Sequence, residues 1–347
     1  MKILIDIGHP AHVYFFYNAI QILQDRGHCI LVTSRDKDVA IPLLDSMSID
    51  HVRLSGMGNK GALSLLKELI VRDYRLYKIS RHFKPDVMAG IGGIFISHVG
   101  FLTRTPALVF YDTENATLQN ALTYPFASCI LVPVCYKGWL PSRNVRYTGY
   151  HELAYLHPKY FSPDHSIAIE NGLSKNGKTW FIRTVSWQAN HDMNEKGWSI
   201  ELLDKIINDL SETGKVIVSS ESPLLPRHKK YSYHGDPSKI HHVMAFCSGY
   251  IGESATMASE CAVLGIPAIY AANTGRGYTD EQESNYGLVK NIRNLSPDNI
   301  QKGLKWLQNI QPADITEAHK KLLKNTIDVT EYIVNRILNP ARCADTQ

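Results

Sequence analysis

No run of this sequence is apolar for long enough to cross a bilayer as a helix, so a helical membrane-spanning protein is not expected. Charge of one sign is also scarce. The 37 basic and 33 acidic residues leave a formal charge of +4, too little to argue for nucleic-acid binding. The six cysteines, at 29, 129, 135, 247, 261 and 343, include no CxxC pair. A zinc ribbon and a disulfide framework are therefore disfavoured, and the thiols are expected to be reduced and mostly buried. The N-terminus has one lysine and then an apolar stretch ending at Asp6, without the apolar core or small-residue cleavage site of an export signal. The expected compartment is the cytoplasm. Internal repeats and low-complexity tracts are missing too, as are the GxGxxG fingerprint and the Walker lysine, which disfavours dinucleotide and P-loop chemistry.

What is present describes a globular protein. Hydrophobic residues make up 44% and charged residues 20% of 347, enough for two domains with their own cores. Short apolar runs alternate with segments of helical period, the pattern of βαβ units and parallel sheets. Strands are expected at 2–7, 29–33, 87–91, 107–111, 129–134 and 145–148, then at 179–185, 215–219, 249–251, 268–270 and 288–290. Between the two sets the pattern lapses in "YLHPKYFSPD", read as a linker. This gives domains at 1–158 and 165–347, and "TEAHKKLLKNTIDVTEYIVNRIL" reads as one long helix near the end, placed to fold back on the first domain. The expected architecture is α/β, with two doubly wound Rossmann-like domains facing across a cleft. In such sheets ligands bind beyond the carboxyl ends of the strands.

Several strand-to-loop junctions carry polar chemistry. The first strand runs into "GHPAH", which puts His12 near a helix start. The positive end of the helix dipole there favours a neutral imidazole that accepts a proton; alternatively, His9 and His12 merely satisfy loop carbonyls. Gly92 and Gly93 follow the 87–91 strand, where they form a simple turn or let the backbone approach a ligand or the opening loop. "YDTENAT" places Asp112, Glu114 and Asn115 beyond another strand. In the second half, Arg183 ends a strand where it can meet a phosphate. His191-Asp192 lacks a third ligand at a recognisable spacing, so no metal site is expected.

The richest segment is "GYIGESATMASECAVLGIPAIY". A strand ends near Gly252, Ser254, Ala255 and Thr256 open a helix, Gly265 ends it and Pro267 prevents its continuation. Free N–H groups at that helix start suit a diphosphate. Glu260 then either accepts hydrogen bonds from vicinal hydroxyls, such as those of a ribose, or is a surface glutamate on a well-capped helix.

These motifs resemble those of GT-B glycosyltransferases. The chain is most similar to a group of uncharacterised predicted glycosyltransferases whose N-termini read like "ILIDIGHPAHVYFF". It is more distantly similar to the MurG-type peptidoglycan N-acetylglucosaminyltransferases and to the non-hydrolysing UDP-N-acetylglucosamine 2-epimerases. The resemblance implies a first domain for the acceptor and a second for the nucleotide-sugar. His12 falls in the slot of the opening-loop histidine, with His9-Pro10-Ala11 replacing most of that loop's glycines. Gly92-Gly93 matches the second glycine turn, and Glu114-Asn115 the acidic loop. "SATMASE" implies Ser254, Ala255 and Thr256 for the diphosphate and Glu260 for the ribose, while "TDEQESN" implies Gln282 for the donor sugar.

The expected function is transfer of a sugar from a nucleotide-diphosphate donor, a UDP-sugar, to an acceptor hydroxyl in surface polysaccharide or glycolipid synthesis. His12 or Glu114 would be the base, without metal or cofactor; the nucleotide-sugar is a co-substrate. Two alternatives are a UDP-N-acetylglucosamine 2-epimerase-like enzyme and a non-catalytic sugar-nucleotide-binding protein. Epimerisation needs several placed acids and bases, and only Arg183 and Glu114 match that family's set. The acceptor would be a saccharide or a lipid-linked saccharide. Segment 63–84 spaces Leu63, Leu66, Leu69, Ile70, Leu76 and Ile79 at helical intervals, with Lys67, Arg72, Arg75, Lys78, Arg81 and Lys84 against only Glu68 and Asp73. It is either a packed helix with a solvated basic face or a peripheral contact with the inner face of an anionic membrane.

Overall fold

The computed structural model describes residues 1–35, 40–55, 62–186 and 197–340. His191-Asp192 and Cys343 lie outside these. The chain divides into two compact units. One holds Met1–Tyr155 together with the chain from Ile327 onward, and the other holds Leu156–Thr326.

The first unit is built on a parallel seven-stranded sheet of β1 (Lys2–Ile7), β2 (Cys29–Arg35), β3 (His51–Ser55), β4 (Val87–Ile91), β5 (Ala107–Phe110), β6 (Cys129–Pro133) and β7 (Asn144–Tyr147). Their spatial order is β3-β2-β1-β4-β5-β6-β7. The chain therefore steps outward from β1 in one direction and resumes on its other side at β4, so the loops after β1 and β4 flank the switch point. β1, β4 and β5 read as near-continuous apolar runs because both faces of a parallel sheet are covered. The sequence pattern did not reveal β3. It is a five-residue edge strand whose Val52 and Arg53 are exposed, so it lacks that apolar run.

The second unit has five parallel strands, β8 (Lys178–Thr184), β9 (Gly214–Ser220), β10 (Gly249–Gly252), β11 (Ala268–Ala271) and β12 (Val289–Ile292), in the order β12-β11-β10-β8-β9. Here the switch point lies between β8 and β10, with Arg183 opposite Gly252. Its core joins Trp180, Ile182, Ile206, Leu210, Ile251, Ile269 and Leu304, all buried.

The expected long terminal helix is two, Pro312–Asn325 and Val329–Leu338. Thr326 is extended between them, and the Asp328 side chain caps the second by accepting from Glu331 N at 2.9 Å. That second helix belongs to the first unit and packs on the helix Pro10–Asp25. The Ala154 carbonyl accepts from Asn18 on one and Thr330 on the other. Among the described residues Cys29, Cys247 and Cys261 are free thiols, Cys247 and Cys261 buried and Cys29 exposed.

A second departure concerns Arg72. It does not belong to a basic surface, because it is buried against Asp6 of β1. Its guanidinium reaches both carboxylate oxygens at 3.2 and 3.1 Å, and Thr33 donates to the same carboxylate at 2.8 Å. These three bonds offset the cost of taking the charges out of water, although the buried Arg72 Nε has no hydrogen-bond partner among the described residues.

Candidate active site

In the first unit the loops after β1, β4 and β5 leave adjacent strands on the same edge of the sheet, as the sequence implied. His9 caps the helix Pro10–Asp25, its ring accepting from Ala11 N at 3.2 Å, and Pro10 occupies the first turn where no N–H is required. The same turn carries His12, whose Nδ1 accepts from Gly8 N at 3.3 Å. With Nδ1 accepting, the neutral ring carries its proton on Nε2. To take up a second proton it must give up the long Gly8 contact.

Asp112, two residues beyond the end of β5, pairs with His151 Nδ1 at 3.2 Å. Burial pushes its carboxyl pKa up, but His151, the Thr113 hydroxyl and His12 outweigh that and hold it at about 2. His151 packs on the Phe15 ring with centroids 4.5 Å apart, and its buried Nε2 has no hydrogen-bond partner among the described residues. Glu114 accepts from Lys137 N at 3.3 Å through Oε1. Near it the Tyr124 and Tyr136 hydroxyls lie 3.0 Å apart, and burial followed by the Glu114 charge raises the Tyr136 pKa. Asn115 sits in the same loop, half-buried.

Gly92 and Gly93 both adopt positive φ, +70° and +36°. A Cβ on Gly92 would collide with the Gln119 side chain, and one on Gly93 would come within 2.8 Å of Val109. The space these glycines leave is thus filled by Gln119 and Val109, not by the opening loop.

In the second unit, Ser254 caps the helix Ala255–Val263, its hydroxyl accepting from Met257 N at 3.3 Å, and Ala255 and Thr256 form the first turn. Glu260 is not a surface residue. It is 6% exposed, and His241 Nε2 donates to its Oε1 at 2.9 Å. Gln282 is fully buried, with Nε2 donating to Ser259 Oγ at 2.8 Å.

Arg183 does not project alone from its strand. It binds Glu221 Oε1 at 2.6 Å and Ser219 Oγ at 2.8 Å. Glu221 also accepts from Ser186 N at 3.0 Å, and Glu253 accepts from Val185 N at 3.0 Å and Trp198 N at 2.8 Å. Two carboxylates therefore brace the end of β8. The sequence reading missed Glu221, Glu253, His151 and His241. Each meets a partner distant in sequence, so no local motif signals it. Among the described residues no group of three or more His, Cys, Asp or Glu is placed to hold a metal ion.

A family model described as "Protein of unknown function (DUF354)" matches residues 1–340. The chain belongs to that family. It is 22% identical over 340 residues to a Methanocaldococcus jannaschii protein described as uncharacterized protein MJ0665, covering 91% of this chain and 96% of that one. Among solved structures, it is similar to the UDP-GlcNAc 2-epimerase from Neisseria meningitidis bound to UDP-GlcNAc, with a TM-score of 0.66 at 14% identity over 98% of this chain and 100% of that one. MurG from Acinetobacter baumannii gives 0.62 at 14% identity over 98% and 100%. These likenesses establish the fold, which is α/β of the GT-B type, with two parallel sheets flanked by helices.

Proposed function

We propose that this DUF354 protein is a glycosyltransferase that moves a sugar from a nucleoside diphosphate donor of the UDP-sugar class to an acceptor hydroxyl. The observation that carries the reading is the junction after β10, where a serine-capped helix start is followed one turn later by the buried carboxylate of Glu260. A helix N-terminus offers N–H groups and positive potential to a diphosphate, and a carboxylate accepts from ribose hydroxyls. Ser254, Ala255 and Thr256 would face the diphosphate and Gln282 would lie nearer the donor sugar. Arg183 would add positive charge as the diphosphate departs, the moment at which such stabilisation lowers the barrier. Its pairing with Glu221 means that a bound diphosphate must share or displace that contact.

In the first unit His12 takes the proton of the acceptor hydroxyl, and Asp112 stabilises the imidazolium that forms; Glu114 is the competing base. No metal or further cofactor enters this scheme.

The acceptor is a saccharide, and we propose a lipid-linked one. Ile70, Tyr74 and Tyr77 project from the helix Ala62–Phe83 at 59%, 57% and 36% exposure, beside exposed Lys67, Lys78 and Arg81. Exposed apolar side chains ringed by lysine and arginine suit an anionic lipid surface on the cytoplasmic side. No helix among the described residues is long and apolar enough to cross a membrane.

The test is thermal stability in the presence of UDP-, GDP-, dTDP- and CMP-sugars. A ligand bound only by the folded state at one hundred times its Kd adds about 2.7 kcal/mol of stability. A shift with UDP-sugars supports the reading, and no shift with any of the panel refutes it.

A further inference from the structure

The second unit buries a histidine against the carboxylate proposed to meet the ribose, and the pairing assigns that histidine a function. Glu260 and His241 are 6% and 5% exposed, and the 2.9 Å bond runs from Nε2 to Oε1. An ionised carboxylate in such a place is costly unless it is paired and hydrogen-bonded.

His241 rides on the short helix Ile240–Met244, whose Val243 and Met244 are buried. The Phe161 ring stands edge-on to the imidazole, with centroids 6.3 Å apart and planes at 81°. The donor is thus held from two sides, and it fixes the orientation of the Glu260 carboxylate. A carboxylate has about four acceptor positions, so one bond to His241 is compatible with accepting from sugar hydroxyls as well.

We propose that His241 is a positioning residue. By fixing the Glu260 carboxylate, it makes the second unit select ribonucleoside over 2′-deoxyribonucleoside diphosphates. The proposal rests on the nucleotide-donor reading above. Its basis in specificity is general: a polar group set to meet a hydroxyl penalises the ligand that lacks it, whereas a loosely held carboxylate swings away at little cost.

The experiment is a thermodynamic cycle measured by calorimetry, with UDP and 2′-deoxy-UDP against the full-length wild type, His241→Leu and His241→Gln. Leucine removes the N–H donor, and glutamine returns one near the Nε2 position. The wild type is expected to bind UDP about tenfold or more tightly than its 2′-deoxy analogue. His241→Leu should lose most of that preference by weakening UDP about tenfold while changing the analogue by less than about twofold, and His241→Gln should restore most of the ratio. A purely structural role would weaken both ligands equally and leave the ratio intact, which overturns the proposal. So does a wild type that binds both ligands equally. Binding of neither ligand by the wild type overturns the nucleotide reading itself together with this proposal, and the two failures are told apart by that row of the cycle alone.

Discussion

Replacing Glu260 with alanine should change stability and binding separately, and the structure sets both magnitudes. The substitution removes the acceptor of a 2.9 Å hydrogen bond and leaves the His241 N–H without it inside the second unit. A buried donor deprived of its acceptor costs about 1–3 kcal/mol. Alanine's higher helix propensity returns only a few tenths. For a unit of this size each 1 kcal/mol moves Tm by about 2–4 °C, so calorimetry should show a drop of roughly 1–11 °C. Glu260→Gln keeps an acceptor oxygen for His241 and should melt closer to the wild type. Binding is the second readout. If Glu260 accepts from the ribose, both variants should weaken UDP by about 1–3 kcal/mol in titrations on folded protein. Unchanged melting of the alanine variant would show that the His241 pair bears no load. Unchanged UDP affinity in both variants would refute the ribose assignment.

The first unit yields three further expectations. His12→Ala should keep donor binding and lower turnover about 100-fold or more, the usual scale for a lost general base; near-normal turnover, with the loss appearing instead in Glu114→Gln, would transfer the role. Asp112 is held at about 2, below the ordinary carboxyl value of 3.8, so its stabilisation is fully present above 3.8 and is lost as pH falls through about 2. Asp112→Asn should therefore be less stable than wild type in urea at pH 7, with the gap closing as pH falls toward 2, and a gap independent of pH would contradict the ionised pairing with His151. Vesicles rich in anionic lipid should bind the protein at low salt and release it at high salt, and Lys78→Glu with Tyr74→Ser should abolish this; equal binding to neutral vesicles would refute a charge-assisted surface.

The parallel strands were legible because burial on both faces writes them as apolar runs, as in β1, β4 and β5. β3 was not, since its edge position leaves Val52 and Arg53 in solvent. The helix break at Thr326 was written locally as Asp328 followed three residues later by Glu331, but the heptad-like run of apolar residues on either side concealed it. Around the candidate site, Ser254 could be read as a cap because a cap is local in sequence, whereas the burial of Glu260 against His241, 19 residues away, could not. Arg72 was misread as surface charge, since its partner Asp6 lies on a strand 66 residues away. The glycine pair shows the same limit. Positive φ could be foreseen from two glycines after a strand, whereas Gln119 as the group occupying the vacated space could not.

The most direct test of sugar transfer is the release of free nucleoside diphosphate by the wild-type protein. It is measured across the panel of nucleotide-sugars, with and without a lipid-linked saccharide, while the sugar itself is followed by mass spectrometry. A UDP-sugar should yield UDP in step with sugar appearing on the acceptor, and His12→Ala should bind the donor but release about a hundredth as much. Conversion of UDP-N-acetylglucosamine to its 2-epimer without acceptor, or donor binding with no product under any condition, would contradict sugar transfer.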